Sequence, residues 1–381
     1  MSNLEDALTP HVESGRVPGL VALVARGTEV ETLALGRRSE DGEPMTEDSL
    51  FRFASITKPL TAAAALTLVD DGLLDLDSPV ADWLPELAAP VVLREASGPL
   101  DDVVPATTPI TLRHLLSSTA GHGFPGDFLG PVVAELMGPL HQGPPDPPAA
   151  PEPDEWMARL GQLPLLHQPG EGWTYNTAYD VLGVLVARAS GDSFARYLRE
   201  HVLDPLGMVG TGFWLRDRAD LPRMTSQHRR DDQGELVVTD PPDGHWVDEP
   251  AFCSGAGGLL GTAADWLAFG QMLLAGGTSD GHRVLSEDLV RLMMVDHLTE
   301  PQHQMGDLFL QGQGWGFGGS VDVAELEPWN VPGRYGWVGG TGTSAHVVPR
   351  DGAVTVLLTQ VELGSPEGAQ IFDDFWRAAA S

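Results

Sequence analysis

The sequence predicts an α+β fold: a discontinuous α/β domain built from both ends of the chain, 1–72 and 251–381, interrupted by a mainly helical insertion over 73–250. Three observations carry this reading. β-rich runs gather towards the two termini, the span from Leu73 to about Pro250 is helical and loop-rich, and an almost wholly apolar helix, Ile56–Val69, closes the first part. A cleft between the two parts is where a ligand site is expected.

The elements follow in order. Leu4, Ala7, Leu8 and Val12 recur at helical spacing with acids between them, giving an amphipathic first helix. Leu20–Ala25 and Val30–Leu35 are strands of a hairpin turning at Gly27-Thr28. Leu50–Phe53 leads into Ser55 and the helix Ile56–Val69, whose apolar surface on all sides means burial and whose C-terminal cap is Gly72. Helices are then expected at Thr111–Ser118, Trp156–Leu165, Ala178–Ala189 and Ser193–Val202, while 216–250 shows no clear element. Between Pro139 and Pro153 lie seven prolines, an extended excursion or lid. Thr262 caps Ala263–Ala275 and Ser286 caps Glu287–His297. Strands follow at Trp315–Val323, Gly333–Val338, Thr343–Val348 and Ala353–Thr359, and a last helix opens at Ser365-Pro366.

Composition narrows the function. A formal charge of −32 with no basic run argues against nucleic-acid binding. The single cysteine, Cys253, excludes an intramolecular disulfide framework and reads as a small buried hydrophobe. No basic n-region with an apolar run opens the chain and no segment is long and apolar enough to span a bilayer, so a cytoplasmic location without membrane partners is expected. The histidines show no ligand spacing, and neither metal nor cofactor is expected; His346 reads as filling a strand face.

One count stands out. Of 22 Lys plus Arg, Lys58 is the only lysine, and it lies three residues after Ser55. Arginine keeps its proton near neutral pH and lysine can lose it, so a chain that retains one lysine invites chemistry needing a free amine. Ser55 at the start of a helix, with Lys58 one turn on, is a Ser-x-x-Lys pattern: the amine can take the serine proton while the helix end favours an oxyanion. Tyr175, one of four tyrosines, precedes the buried helix Ala178–Ala189, where a phenolate beside an ammonium would form a feasible base. The glycine-rich Tyr335-Gly336-Trp337-Val338-Gly339-Gly340-Thr341-Gly342-Thr343 joins two strands and suits close approach by a ligand.

Together these segments resemble the serine β-lactamase and penicillin-binding-protein superfamily, closest to its class C-like branch and the family VIII carboxylesterases. The likeness runs through Leu73–Val80, Thr111–Leu116, the Gly257-Gly258-Leu259 turn and the strand after Trp315. It implies a β-lactamase/transpeptidase-like fold, an antiparallel sheet flanked by helices plus an all-helical insertion. It also implies that Ser55 is acylated, that Lys58 and Tyr175 share the base work, and that backbone N–H groups of Ser55 and Gly340 form the oxyanion hole. Trp337, Gly339, Asn176 and Thr177 would then bind substrate.

Two departures bear on the substrate. Thr177 stands where the family's Tyr-x-Asn places its amide, with Asn176 adjacent. The Lys- or His-Thr-Gly motif is replaced by Trp337-Val338-Gly339, as in family VIII esterases. Without that cation a substrate carboxylate loses a contact worth ~1.5–3 kcal/mol, whereas an uncharged ester loses nothing. The expectation is therefore a serine carboxylesterase acting on small esters through a Ser55 acyl-enzyme, with a small-molecule ester or amide as its partner. A β-lactamase, a D-amino-acid peptidase or amidase, and an acyltransferase on the same fold remain as alternatives, as do a Lys58 Schiff-base enzyme and a non-catalytic binding protein. Gly277-Thr278-Ser279-Asp280-Gly281 matches an α/β-hydrolase elbow by letter, but it follows a helix and reads as a surface turn.

Overall fold

The computed structural model describes residues 3–39, 42–126, 128–143, 150–364 and 366–381. Among them, seven strands form one antiparallel sheet in the order Gly314–Trp315, Ser320–Val321, Tyr335–Gly339, Thr343–Val348, Ala353–Thr359, Gly19–Arg26 and Glu29–Gly36. N- and C-terminal segments meet in register, Leu20 opposite Thr359 and Arg26 opposite Ala353, which makes the sheet discontinuous in sequence. Strand Gly19–Arg26 is apolar on both faces because both are covered. Leu20, Ala22 and Val24 pack with Leu8, Phe372 and Phe375 of the terminal helices Asn3–Glu13 and Pro366–Ala380. Val21, Leu23 and Ala25 face the larger core, which holds Phe53 and the central helix Lys58–Asp70.

That helix is buried on every side from Lys58 to Leu68, as its unbroken apolar sequence requires, and Gly72 beyond it takes φ +71° to end it. A 3₁₀ turn, Ala54–Thr57, precedes it, so Ser55 sits in the turn and Lys58 in the first residue of the helix proper. Helix Thr177–Ser190 packs against it, while Ala263–Leu274, capped by the Thr262 side chain at the Asp265 N–H, lies on the sheet.

Several boundaries differ from expectation for local reasons. The strand expected over Trp315–Val323 is two short strands, because Gly318 turns at φ +96° against the central helix. Helix Pro153–Leu160 begins on proline at its first position and ends before Gly161. Ser193–Val202 is a short helix, Phe194–Leu198, followed by a π turn, and Glu287–His297 stops at Met293 with no side-chain bond from Ser286. The 216–250 span contains a hairpin, Gln227–Arg230 with Leu236–Asp240, and a second small hairpin pairs Val91–Leu93 with Val103–Pro105, so the insertion is not wholly helical. Within Gly277–Gly281, Thr278–Ser279 pairs with His282–Arg283 across a turn at Asp280-Gly281, without the helix that a nucleophile elbow needs directly after it. Of the Pro139–Pro153 excursion, 144–149 fall outside the described residues, as does the expected cap Ser365. No helix among the described residues is long and apolar enough to cross a membrane.

Candidate active site

The segment before Ser55 is tied down from two directions. Phe51–Arg52 pairs with Leu260–Gly261, and the hydroxyls of Thr341 and Thr343 donate to Arg52 O and Phe53 O at 2.6 and 2.8 Å. Ala54, held between these anchors, adopts φ +46°, a left-handed conformation costing a non-glycine residue about 1–3 kcal/mol. This presents Ser55, half-buried, at the edge of a cavity.

Three side chains converge there. Lys58 Nζ lies 2.8 Å from Ser55 Oγ, 2.9 Å from Asn176 Oδ1 and 2.7 Å from Ala256 O. Tyr175 is fixed by paired backbone bonds to Phe124, both 2.9 Å, and its hydroxyl accepts from Trp337 Nε1 at 2.6 Å, with the Ser55 side chain near enough to favour its ionised form. Lys58 Nζ sits 4.6 Å from the centre of the Tyr175 ring, which is backed by Trp173, Phe309 and Trp315.

Burial decides the protonation states. Lys58 is fully buried, which pushes its ammonium down to about 7; Asp180 opposes this and is outweighed. The same burial pushes Tyr175 up to about 12, although Ser55 and the bond from Trp337 pull the other way. The phenolate beside an ammonium expected from sequence is thus replaced near neutral pH by a neutral phenol beside an amine able to lose its proton.

The cavity has a volume of about 330 Å³, at the small end for ligand sites. Phe124, Leu140, Trp156, Phe213 and Phe252 supply much of its wall, and no Lys or Arg lies among its described lining residues. Asn176 and Gly340 line it beside Ser55 and Tyr175, and the space a Cβ would take at Gly340 is open. Gly339 instead marks a close approach, for a Cβ there would fall 2.1 Å from Thr343 Oγ1 and 2.5 Å from Phe53 O. Thr177 is wholly buried at the start of its helix, and Trp337, 4% exposed, reaches Tyr175 from behind. Neither lines the cavity.

Other predicted residues lie elsewhere. His346 is buried, bonded to Ser344 Oγ and set edge-on to Trp376, and desolvation holds it well below the usual histidine range. Cys253 is a free thiol, only partly buried where a buried hydrophobe was expected, and desolvation pushes it up to about 12, which keeps it protonated. Sequence reasoning missed Asp180 and Gln142, both largely buried and both lining the cavity. A lone acid in the apolar run Ala178–Ala189 was a usable signal for the first; Gln142, inside the proline-rich excursion, carried none.

An antiparallel sheet that carries Ser-x-x-Lys at the start of a buried helix defines the β-lactamase/transpeptidase-like class. The chain belongs to the Beta-lactamase family, whose family model matches residues 4–374. Relatives include the Mycobacterium tuberculosis protein Rv1367c, 40% identical over 91% of this chain and 87% of its own length. Esterase EstB of Burkholderia gladioli is 34% identical over 80% of this chain and 74% of EstB. Among solved structures, EstCE1, described as a hydrolase with promiscuous acyltransferase activity, superposes with a TM-score of 0.81 at 25% identity, covering 100% of this chain and 98% of EstCE1. The family is thus one of serine hydrolases with esterase and acyltransferase members.

Proposed function

We propose that the protein is a serine carboxylesterase that cleaves small uncharged esters through an acyl-enzyme on Ser55. The observation that carries this is the Lys58 amine, 2.8 Å from Ser55 Oγ, with burial pushing it down to about 7. Two of its contacts, Asn176 Oδ1 and Ala256 O, accept hydrogen bonds. A neutral amine gives its two N–H groups to these and keeps its lone pair for the Ser55 hydroxyl proton.

In the proposed reaction Ser55 Oγ attacks the ester carbonyl as Lys58 takes its proton, and the N–H groups of Ser55 and Gly340 receive the oxyanion. The Tyr175 hydroxyl donates its proton to the leaving alkoxide, helped by the Trp337 N–H on its oxygen, and Lys58 returns a proton to Tyr175. Water then attacks the acyl-enzyme as Lys58 takes its proton, and Lys58 returns that proton to Ser55 Oγ as the acid leaves. The absence of Lys and Arg from the described cavity lining disfavours penicillins and D-amino-acid peptides, whose carboxylates would enter without a partner. An alcohol replacing water would give acyl transfer from the same intermediate, the second activity described for EstCE1.

Intact mass spectrometry after exposure to a fluorophosphonate, a p-nitrophenyl ester and a penicillin, with the adduct mapped, tests the reading. Fluorophosphonate labelling at Ser55 and ester turnover lost in Ser55→Ala are expected. Turnover that survives Ser55→Ala would sink it.

A further inference from the structure

Lys58 and Asp180 are linked by a chain of side-chain amides. Asn176 Oδ1 accepts from Lys58 Nζ at 2.9 Å, Asn176 Nδ2 donates to Gln142 Oε1 at 3.3 Å, and Gln142 Nε2 donates to Asp180 Oδ2. We propose that Gln142 is a positioning residue for Lys58: anchored by the Asp180 carboxylate, it orients Asn176 so that an acceptor faces the amine. This rests on the reading of Lys58 as the base.

A side-chain amide has an acceptor end and a donor end, so the orientation of one dictates that of the next. Asp180 sets the chain. Its Oδ1 takes the Ala256 N–H at 3.0 Å and the Ser254 hydroxyl at 2.7 Å, while Ser254 Oγ accepts from the Gly257 N–H at 3.2 Å. The Ser254 proton therefore points at Asp180. With Oδ1 engaged, Oδ2 as a carboxylate oxygen can only accept, and Gln142 must present its NH₂. Its Oε1 then takes the Asn176 NH₂, which leaves Asn176 Oδ1 for Lys58.

Reversal would disable the base. A donor from Asn176 would hold the lone pair of Lys58 and take it from Ser55. Gln142 and Asp180 are 5% and 2% exposed and line the cavity, so the orientation is held by the bonds fanning out from Asp180. The backbone is committed as well. Asn176 takes φ +81°, ψ −67° in a three-residue turn closed by Thr177 N–H to Tyr175 O at 3.2 Å, a rare and strained conformation that points its amide at Lys58. Asp180 is the charged group acting on Lys58, whose other neighbours include the rings of Tyr175 and Tyr179 at 4.6 and 5.8 Å.

Gln142→Met and a cycle of Asp180→Asn, Gln142→Glu and the double variant test this, with p-nitrophenyl butyrate kinetics against pH. Gln142→Met keeps the side-chain bulk and the Asp180 charge but frees Asn176 to turn. A fall in kcat of about tenfold and a shift of the acidic limb of about half a pH unit to lower pH are expected. Asp180→Asn must turn its new carbonyl to Ala256 and Ser254 and its NH₂ to Gln142, reversing the chain, with a loss of about a hundredfold expected. Adding Gln142→Glu supplies a carboxylate that accepts both from the new amide at position 180 and from the Asn176 NH₂. That restores the orientation of Asn176 and recovers about tenfold over Asp180→Asn alone. A packing role predicts a double variant at least as impaired as either single. Wild-type rate and pH profile in Gln142→Met, or no recovery in a folded double variant, would overturn the proposal; should Asp180→Asn fail to fold, Gln142→Met decides alone. Wild-type protein that a fluorophosphonate does not label at Ser55 fails the esterase reading instead, which separates the two failures.

Discussion

The indole N–H of Trp337 donates to the Tyr175 hydroxyl at 2.6 Å. Trp337 is thus turned towards the tyrosine beside Ser55. Its bond supports negative charge on the phenol oxygen as the proton leaves. Trp337→Phe keeps an aromatic ring against Trp315, whose ring lies 4.8 Å away, and removes only the donor. A fall in kcat of about 2–10-fold with little change in KM is expected, the worth of one ordinary hydrogen bond. Steady-state kinetics on a p-nitrophenyl ester checks it; an unchanged kcat would remove Trp337 from the proton path.

The pH profile follows from which group titrates. A base must be unprotonated, and Lys58 is pushed down to about 7. kcat/KM should therefore rise about tenfold per pH unit below about 7 and level off above it. Tyr175, pushed up to about 12, stays protonated, so no falling limb from it is expected between about pH 8 and 10. Lys58→Arg keeps the charge and cannot supply the base. Its expected loss is on the order of 10²–10⁴-fold, with no recovery as pH rises, measured as initial rates across the range.

What could be read from the sequence was what lies close along the chain. Ser55 and Lys58 share one turn, and the buried runs Thr343–Val348 and Ala353–Thr359 each begin directly after a glycine, so local pattern located them. The Gln227–Asp240 hairpin escaped because its first strand is polar throughout and the apolar Leu236-Val237-Val238 run of its second is short and lacks alternation; the buried pair of Arg52 with Asp240, 188 residues apart, holds it to the strand before Ser55. The role of Trp337 was hidden for the same reason, since its partner Tyr175 lies 162 positions away. Gln142 reaches Asn176 across 34 residues and Asp180 across 38, from a segment without periodicity. Local pattern reports the turn and helix that carry Ser55 and Lys58 and not the contacts that orient the Lys58 amine.

Burying Lys58 has a stability signature. Its pKa falls from 10.5 unfolded to about 7 folded, so the unfolded chain binds more protons between those values and stability rises with pH across that window. Below about 7 the cost is full, on the order of 5 kcal/mol. Lys58→Met removes the titration while filling similar space, although it leaves Asn176 Oδ1 and Ala256 O without this donor. The difference in Tm between Lys58→Met and wild type should therefore shift in favour of wild type from pH 6 to pH 9, by an amount equivalent to about 3 kcal/mol. Thermal melts at both pH values measure it, and a constant difference would mean that Lys58 is not desolvated.

Gly318 links the sheet to the site. It turns at φ +96° between Gly314–Trp315 and Ser320–Val321, and a Cβ there would fall 2.8 Å from Lys58 O and 2.9 Å from Pro59 Cα. Both obstacles are backbone atoms of the central helix, so no side chain can move aside. The N–H of Gly318 also donates to the Tyr179 hydroxyl at 2.9 Å, which fixes the turn from the other side. Gly318→Ala must either hold alanine in a conformation it disfavours or push the turn off the helix start that carries Lys58. Conformational strain alone costs on the order of 1–3 kcal/mol, and the clash adds to it. A lower urea midpoint is expected together with slower fluorophosphonate labelling of Ser55 in the fraction that remains folded. Loss of stability with wild-type labelling would show that the turn supports the fold without setting the position of the base.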